Sequence, residues 1–318
     1  MDISIVIPLF NEQDSLDELT SRLDTVLKKY TYEIIYIDDG SIDNSWLTIE
    51  TLAKNNINIK AIKFSHNFGK TQALNAGFAK AQGEIVFTMD SDLQDFPEEI
   101  PEMYQIMLAK NYDILSGWKL KRQDPVLTKN IPSKLFNYVA RMSSGIKIHD
   151  FNCGLKAYKK VVVKSIELYG DMHRYIPILA KNNGFNKIGE KLVKHTTRKH
   201  GVSKFGSKRF INGFLDLITL LFVSKFANKP MHFFGTFGIL TFVLGFFSAF
   251  YIGMEKLIKL FLLDIPEKLI TTDPWFYISL TLMIIGTQFF LAGFISELIN
   301  NSKRKHLLYS IQEYINFK

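Results

Sequence analysis

Residues 89–95 read Met89-Asp90-Ser91-Asp92-Leu93-Gln94-Asp95, directly after a short apolar run at 85–89. Two carboxylates one residue apart at a strand end are hard oxygen donors that can share a divalent cation, and such a cation neutralises a diphosphate. The D-x-D triplet is a weak signal alone, since solvated loop carboxylates give the same pattern. A second acidic pair, Asp38-Asp39, follows the run at 33–37 and precedes Gly40-Ser41. It suits ribose hydroxyls or an ordered base, although taken alone the pair is better read as an Asp-Gly turn with helix capping. The run at 3–8 ends on Pro8 and is followed by Asn11 and Glu12, placed to touch a nucleoside or to cap the next helix. After the run at 59–64, Ser65-His66-Asn67-Phe68-Gly69-Lys70 brings Lys70 and backbone N–H groups towards phosphate. Each placement is modest alone. Ligand-type residues at consecutive strand ends along one edge give them weight.

The elements that must carry these residues are legible as an alternation. Apolar runs at 3–8, 33–37, 59–64, 85–89 and 113–116 are separated by helical spacing at 14–29, 44–55, 71–82 and 97–110. This βαβα order predicts an α/β domain with a mostly parallel, doubly wound sheet, in which ligands bind beyond the carboxyl ends of the strands. From 119 to about 205 the alternation weakens into basic and aromatic stretches, a place for an acceptor site.

The chain has 318 residues, a formal net charge of +8 and a single cysteine. The charge fits nucleic acid, phosphorylated small molecules or an anionic membrane surface. One cysteine excludes an intrachain disulfide, and Cys153 reads as a packing residue. His173, His195 and His200 lack metal-ligand spacing, so no zinc is assigned. No basic n-region precedes an apolar stretch at the start, so a secretory signal is not read and the soluble part is expected in the cytosol. Residues 230–254 and 274–296 contain no Asp, Glu, Lys or Arg. Each run exceeds the roughly 20 residues needed to cross a bilayer.

The expected organisation is therefore a catalytic domain at 1–207, an amphipathic segment at 208–229 and two transmembrane helices within 230–298 (230–254 and 274–298). A cytosolic tail at 299–318 completes it. The 208–229 segment is read as an interfacial helix or as one packed on its own domain. Lys225 and Lys229 precede the first span, and Lys303, Arg304 and Lys305 follow the second. The positive-inside rule then puts both ends in the cytosol and the 255–273 connector outside. The spans make a membrane the expected partner of the basic residues and argue against nucleic acid.

The segments IPLFNE, IDDGS, HNFGKTQALNAG and MDSDLQD resemble the nucleotide-diphosphosugar-binding half of glycosyltransferase family 2, with its Rossmann-like GT-A fold. SGWKLKRQDP, KIHDFNCGLKAY, GDMHRYIPILA and HTTRKHGVSKFG resemble its polyprenyl-phosphate branch, which includes bactoprenol glucosyltransferases and dolichol-phosphate mannose synthases. The resemblance implies inverting transfer from a nucleotide sugar, such as UDP-glucose, to a polyprenyl phosphate, with Mg2+ or Mn2+, at the cytosolic face of a bacterial plasma membrane. It implies Asp90, Asp92 and Gln94 as the metal and diphosphate site, and Pro8, Glu12 and Asp39 as the nucleoside site. Asp150 falls on the acceptor side, and Arg122, Arg198, Ser203 and Lys204 at donor or lipid phosphates. Two positions depart from the pattern. His66 and Lys119 stand where Arg is common, and Lys keeps the charge without the bidentate fork.

The expected reaction is a one-step displacement whose acceptor phosphate is already anionic near pH 7, so Asp150 is read as orienting or as a base. The alternatives are a family 2 enzyme acting on a sugar hydroxyl or lipid-linked oligosaccharide, and a non-catalytic nucleotide-sugar-binding membrane scaffold. Homo-oligomerisation stays open.

Overall fold

A computed structural model of the chain describes residues 1–119, 131–168, 172–196, 219, 230–261, 269–301 and 311–316. These residues fall into two compact units, Met1–Ser224 with Leu307–Lys318, and Lys225–His306.

The first unit opens with β1 (Ile3–Leu9), whose seven residues are all buried. Continuous burial, rather than alternation, marks a strand covered on both faces. There follow α1 (Gln13–Leu27), β2 (Tyr32–Asp38), α2 (Ser45–Asn55), β3 (Ile59–Phe64), α3 (Lys70–Lys80) and β4 (Ile85–Thr88). Beyond them lie α4 (Ile100–Lys110), β5 (Ile114–Trp118), α5 (Ile131–Ser144), β6 (Lys156–Lys159), α6 (Lys160–Ser165), α7 (Ile176–Asn182) and β7 (Ile188–Leu192). On one face Ile3, Ile5 and Ile7 pack with Leu16, Leu19 and Leu23 of α1, Ile49 of α2 and Met103 of α4. On the other, Gly77 of α3 lies so close to Val6 that a Cβ would stand 2.3 Å from its Cγ1.

The described strands form one eight-stranded sheet in the order β7-β5-β6-β4-β1-β2-β3-β8. β4, β1, β2 and β3 are parallel, whereas β6 runs antiparallel to both β4 and β5. The chain steps outward from β1 to β2 and β3, then returns to place β4 on the other side of β1. The carboxyl ends of β1 and β4 thus flank the point where the connection reverses, which opens a crevice for ligands.

In the second unit, α8 (Pro230–Phe261) and α9 (Pro274–Asn301) form an apolar pair. Both pass the length needed to cross a bilayer, at 32 residues for Pro230–Phe261 and 26 for Pro274–Ile299, with a mean hydropathy of 1.9 each. Only 11% and 17% of their apolar windows are buried, so they are not core helices of a soluble domain. Their backbones approach through small residues, as membrane helices do. A Cβ on Gly238 would stand 2.7 Å from Gly286 O, and the Ser279 hydroxyl donates to Ser248 Oγ at 2.8 Å.

The 208–229 segment lies, apart from Thr219, outside the described residues. Three features differ from the sequence reading. The first span stays helical to Phe261, past the start of the expected connector at 255. Pro97–Glu99 is a 3-10 turn, and α4 begins at Ile100. Within the expected cytosolic tail, β8 (Ile311–Ile315) pairs antiparallel with β3 and supplies an outer strand of the sheet.

Candidate functional site

The loops after β1 and β2 are stitched together. Asn11, at φ +53°, donates its N–H to Ser41 Oγ at 2.9 Å and accepts from Ile42 N–H at 2.9 Å. Glu12 N–H donates to Ser45 Oγ at 3.0 Å. Pro8 is buried within β1, opposite Ile37. The two aspartates after β2 separate in role. Asp38 Oδ1 accepts from Ser41 N–H at 2.9 Å, which is the turn alternative realised. Asp39 instead accepts from Phe68 N–H at 2.7 Å and Gly69 N–H at 2.9 Å, gripping the loop after β3. That contact requires Gly40, at φ +71°, because a Cβ there would lie 2.4 Å from the His66 carbonyl carbon. Burial raises the Asp39 carboxyl to about 6 against the pull of those two N–H groups.

The gripped loop delivers Lys70, the first residue of α3, whose ammonium contacts Asp90 Oδ1 at the end of β4. Asp92 is 8% exposed and accepts from Gln94 N–H at 3.2 Å, while the Gln94 side-chain amide points to Thr196 O at 3.5 Å. Burial alone would raise the Asp90 carboxyl, but the ammonium of Lys70, with those of Lys119 and Lys156, brings it well below the usual carboxylate range.

Two cations and a carboxylate were missed in the sequence. Lys119, one of the basic residues for which the membrane was the expected partner, is 9% exposed and pairs instead with buried Asp95 at 2.6 Å. Burial still holds the Asp95 carboxyl above its ordinary value. Lys156 is also buried; it donates to Cys153 O, and burial lowers its ammonium. The available signal was the third acid of MDSDLQD. The decisive one, the register Thr88↔Lys156 that sets β6 beside β4, is not local. Continued by two residues, that register puts Gly154 opposite Asp90. A Cβ on Gly154 would stand 2.6 Å from Asp90 Oδ2 and 2.9 Å from Asp95 Oδ2, so only a bare backbone leaves both carboxylates room.

Asp150 is 3% exposed and its Oδ1 accepts from Asn152 N–H at 3.0 Å. Beside it, His149 stacks on Trp118 at 4.1 Å and is held at Nδ1 by Glu190 at 2.5 Å. His173 exchanges a hydrogen bond with Thr71 at 3.0 Å, and burial pushes its imidazole well below its ordinary value. Arg122, Arg198, Ser203 and Lys204 lie outside the described residues.

These groups suit a hard cation. Asp95 Oδ2 is buried with no hydrogen-bond partner among the described residues, and it shares the Gly154 backbone with Asp90 Oδ2. Among the described residues, no three His, Cys, Asp or Glu side chains converge to enclose a metal by themselves. Mg2+ bound by one or two carboxylates, with substrate phosphates completing its shell, needs no such cage.

The sequence profile of Glycosyl transferase family 2 matches residues 4–167. The chain is 33% identical over 303 residues to the dodecaprenyl-phosphate galacturonate synthase of Rhizobium johnstonii, covering 94% of this chain and 88% of that one. It is 37% identical over 259 residues to an undecaprenyl-phosphate 4-deoxy-4-formamido-L-arabinose transferase of Pseudomonas fluorescens, covering 80% and 73%. The UDP complex of glucosyl-3-phosphoglycerate synthase from Mycobacterium tuberculosis superposes with a TM-score of 0.55. That match covers 70% of this chain and 79% of that one at 16% identity, a likeness of fold. The same synthase is also known with Mn2+, UDP and glucosyl-3-phosphoglycerate bound.

Proposed function

Because the chain belongs to glycosyltransferase family 2, and is a glycosyltransferase with a GT-A domain, we propose that it moves a sugar from a nucleotide-sugar donor to a polyprenyl phosphate. The relatives' lipid-phosphate acceptors and the two membrane-length helices support that acceptor. The donor is a UDP-sugar, with UDP-glucose the first to test, and the catalytic domain works on the cytosolic side of a bacterial plasma membrane. The observation that carries the reading is that Asp39, after β2, holds the loop that brings Lys70 onto Asp90, after β4, across the carboxyl end of the intervening β1, with Asp92 two residues further on.

In this reading the acceptor phosphate oxygen attacks the anomeric carbon from the face opposite the leaving group. The bond from that carbon to the diphosphate oxygen breaks, its electron pair leaves with the nucleoside diphosphate, and the configuration inverts. A phosphate dianion has no proton to lose, so holding the two anions in line contributes more than proton removal. Asp90 and Asp92, with Gln94 at their edge, would hold Mg2+ or Mn2+, which supplies charge neutralisation for the departing diphosphate. Pro8, Glu12 and Asp39 line the nucleoside end, Lys70 offers its ammonium to the diphosphate, and Asp150 orients the acceptor. Arg122, Arg198, Ser203 and Lys204 are assigned to the donor and lipid phosphates.

The test is transfer of radiolabel from several nucleotide sugars into an organic-extractable, mild-acid-labile lipid by membranes containing the protein. Label that appears only in water-soluble glycan, or in acid-stable lipid, rejects the polyprenyl-phosphate acceptor.

A further inference from the structure

Lys70 stands where a metal ion would compete with it. Its ammonium contacts Asp90 Oδ1, one of the oxygens assigned above to the cation, while Oδ2 faces the Gly154 backbone. The arm that brings it there is anchored. Phe68 and Gly69, the two residues before it, give their N–H groups to Asp39 at 2.7 and 2.9 Å. The carboxylate at the end of β2 thus fixes the loop that sends a cation to the carboxylate at the end of β4. The side chains of Lys70 and Asp90 are 37% and 34% exposed, so the pair is not sealed and the ammonium has water to move through. Buried Lys119, by contrast, is committed to buried Asp95 at 2.6 Å and is not placed to exchange.

A divalent ion and an ammonium repel at the few ångströms that separate ligands of one carboxylate, and one oxygen cannot serve both fully. A diphosphate changes the balance, because it gives the displaced ammonium a new anionic partner and gives the metal further oxygen ligands. We propose that Lys70 occupies Asp90 as a built-in counter-cation until the donor arrives. It then transfers to the donor's diphosphate, so that metal and nucleotide enter together rather than in sequence. This rests on the assignment of Asp90 and Asp92 as the metal site. Reciprocity follows: the nucleotide must tighten the metal by the same factor as the metal tightens the nucleotide.

The test is Mn2+ binding to the full-length protein in detergent, read from the electron paramagnetic resonance signal of the free ion, with and without UDP. Without UDP, Lys70→Met should bind Mn2+ roughly tenfold more tightly than the parent, because a neighbouring positive charge is gone. UDP should then tighten binding less in this variant than in the parent. Lys70→Arg keeps the charge and should stay as weak as the parent. Parent-like weakness in Lys70→Met overturns the proposal, and so does equal tightening in Lys70→Arg, which would trace the gain to packing rather than charge. If Lys70→Met does not fold, Lys70→Gln carries the same expectation. A parent that binds no Mn2+ even with UDP overturns the metal-site assignment as well, whereas failure confined to the Lys70 variants leaves that assignment standing.

Discussion

At the residue scale, the rim acids have separable roles that their surroundings predict. Asp92→Asn removes a charged oxygen donor without opening a cavity. Transfer should fall on the order of 100-fold or more, the cost of losing one group that stabilises transition-state charge. Thermal unfolding should stay near the parent's, and near-normal turnover at limiting Mg2+ and Mn2+ would remove Asp92 from the metal site. Asp150 is buried and already accepts from Asn152 N–H. Such a fixed carboxylate orients, so Asp150→Asn should lose activity by a similar factor at every pH. A variant whose pH–rate profile rejoins the parent's above the acceptor's second pKa would make it a general base instead. For Asp39, burial raises the folded carboxyl to about 6, above its ordinary 3.8. The folded protein therefore holds a proton that the unfolded chain releases between those values, and ionisation of Asp39 costs stability across that window. Relative to Asp39→Asn, the parent should lose stability as pH rises from about 4 to above 6. Equal slopes for the two proteins in urea unfolding at stepped pH would refute that environment. Asp39 and Asp92 were legible as candidates from residue type and strand-end position, whereas Asp150 was reached only through the family resemblance. Lys119 was not legible, because whether a lysine is solvated or buried against Asp95 depends on where β5 comes to lie.

At the element scale, runs and periods located every strand from β1 to β5, and the structure moved mainly their ends. Gly69, at φ +95°, lets α3 begin at Lys70 rather than one residue later. β6 and β7 fall where the alternation weakens and were not read, and β8 escaped as well. Its few residues follow a membrane-length helix, and an isolated short strand has no stabilising partner until β3 is present. Asn316, at φ +58°, fastens its end by donating to Ile59 O at 2.9 Å and Ala53 O at 3.3 Å. Asn316→Ala should cost about 1 kcal/mol. Deleting residues 311–318 should cost more, exposing β3 as an edge and raising aggregation on heating. Thermal unfolding of the two variants against the parent checks both, and a deletion that melts with the parent would mean that β8 contributes nothing to the sheet.

At the scale of the whole molecule, the sequence predicts a hairpin with both flanks on one side of the membrane. β8 adds a second reason, since Ile311–Ile315, which follow α9 in the chain, belong to the same sheet as β1 to β7. An impermeant maleimide applied to intact cells should label Thr272→Cys and spare Glu313→Cys until the cells are opened. The native thiol gives little background, because Cys153 is buried and burial pushes it up to about 12, leaving almost no reactive thiolate. Equal labelling of both positions would defeat the hairpin. Local order along the chain encodes alternating elements, acids at strand ends, two charge-free runs and the motifs of a family. Tertiary structure alone decided what depends on strands distant in the chain coming together. The Thr88↔Lys156 register sets Gly154 against Asp90 and Asp95, and the fold buries Lys156 beside them and pairs the largely covered Lys119 side chain with Asp95. It also returns the last strand to β3. Pairing register and burial are set by the packed sheet as a whole, and no window of the sequence contains them.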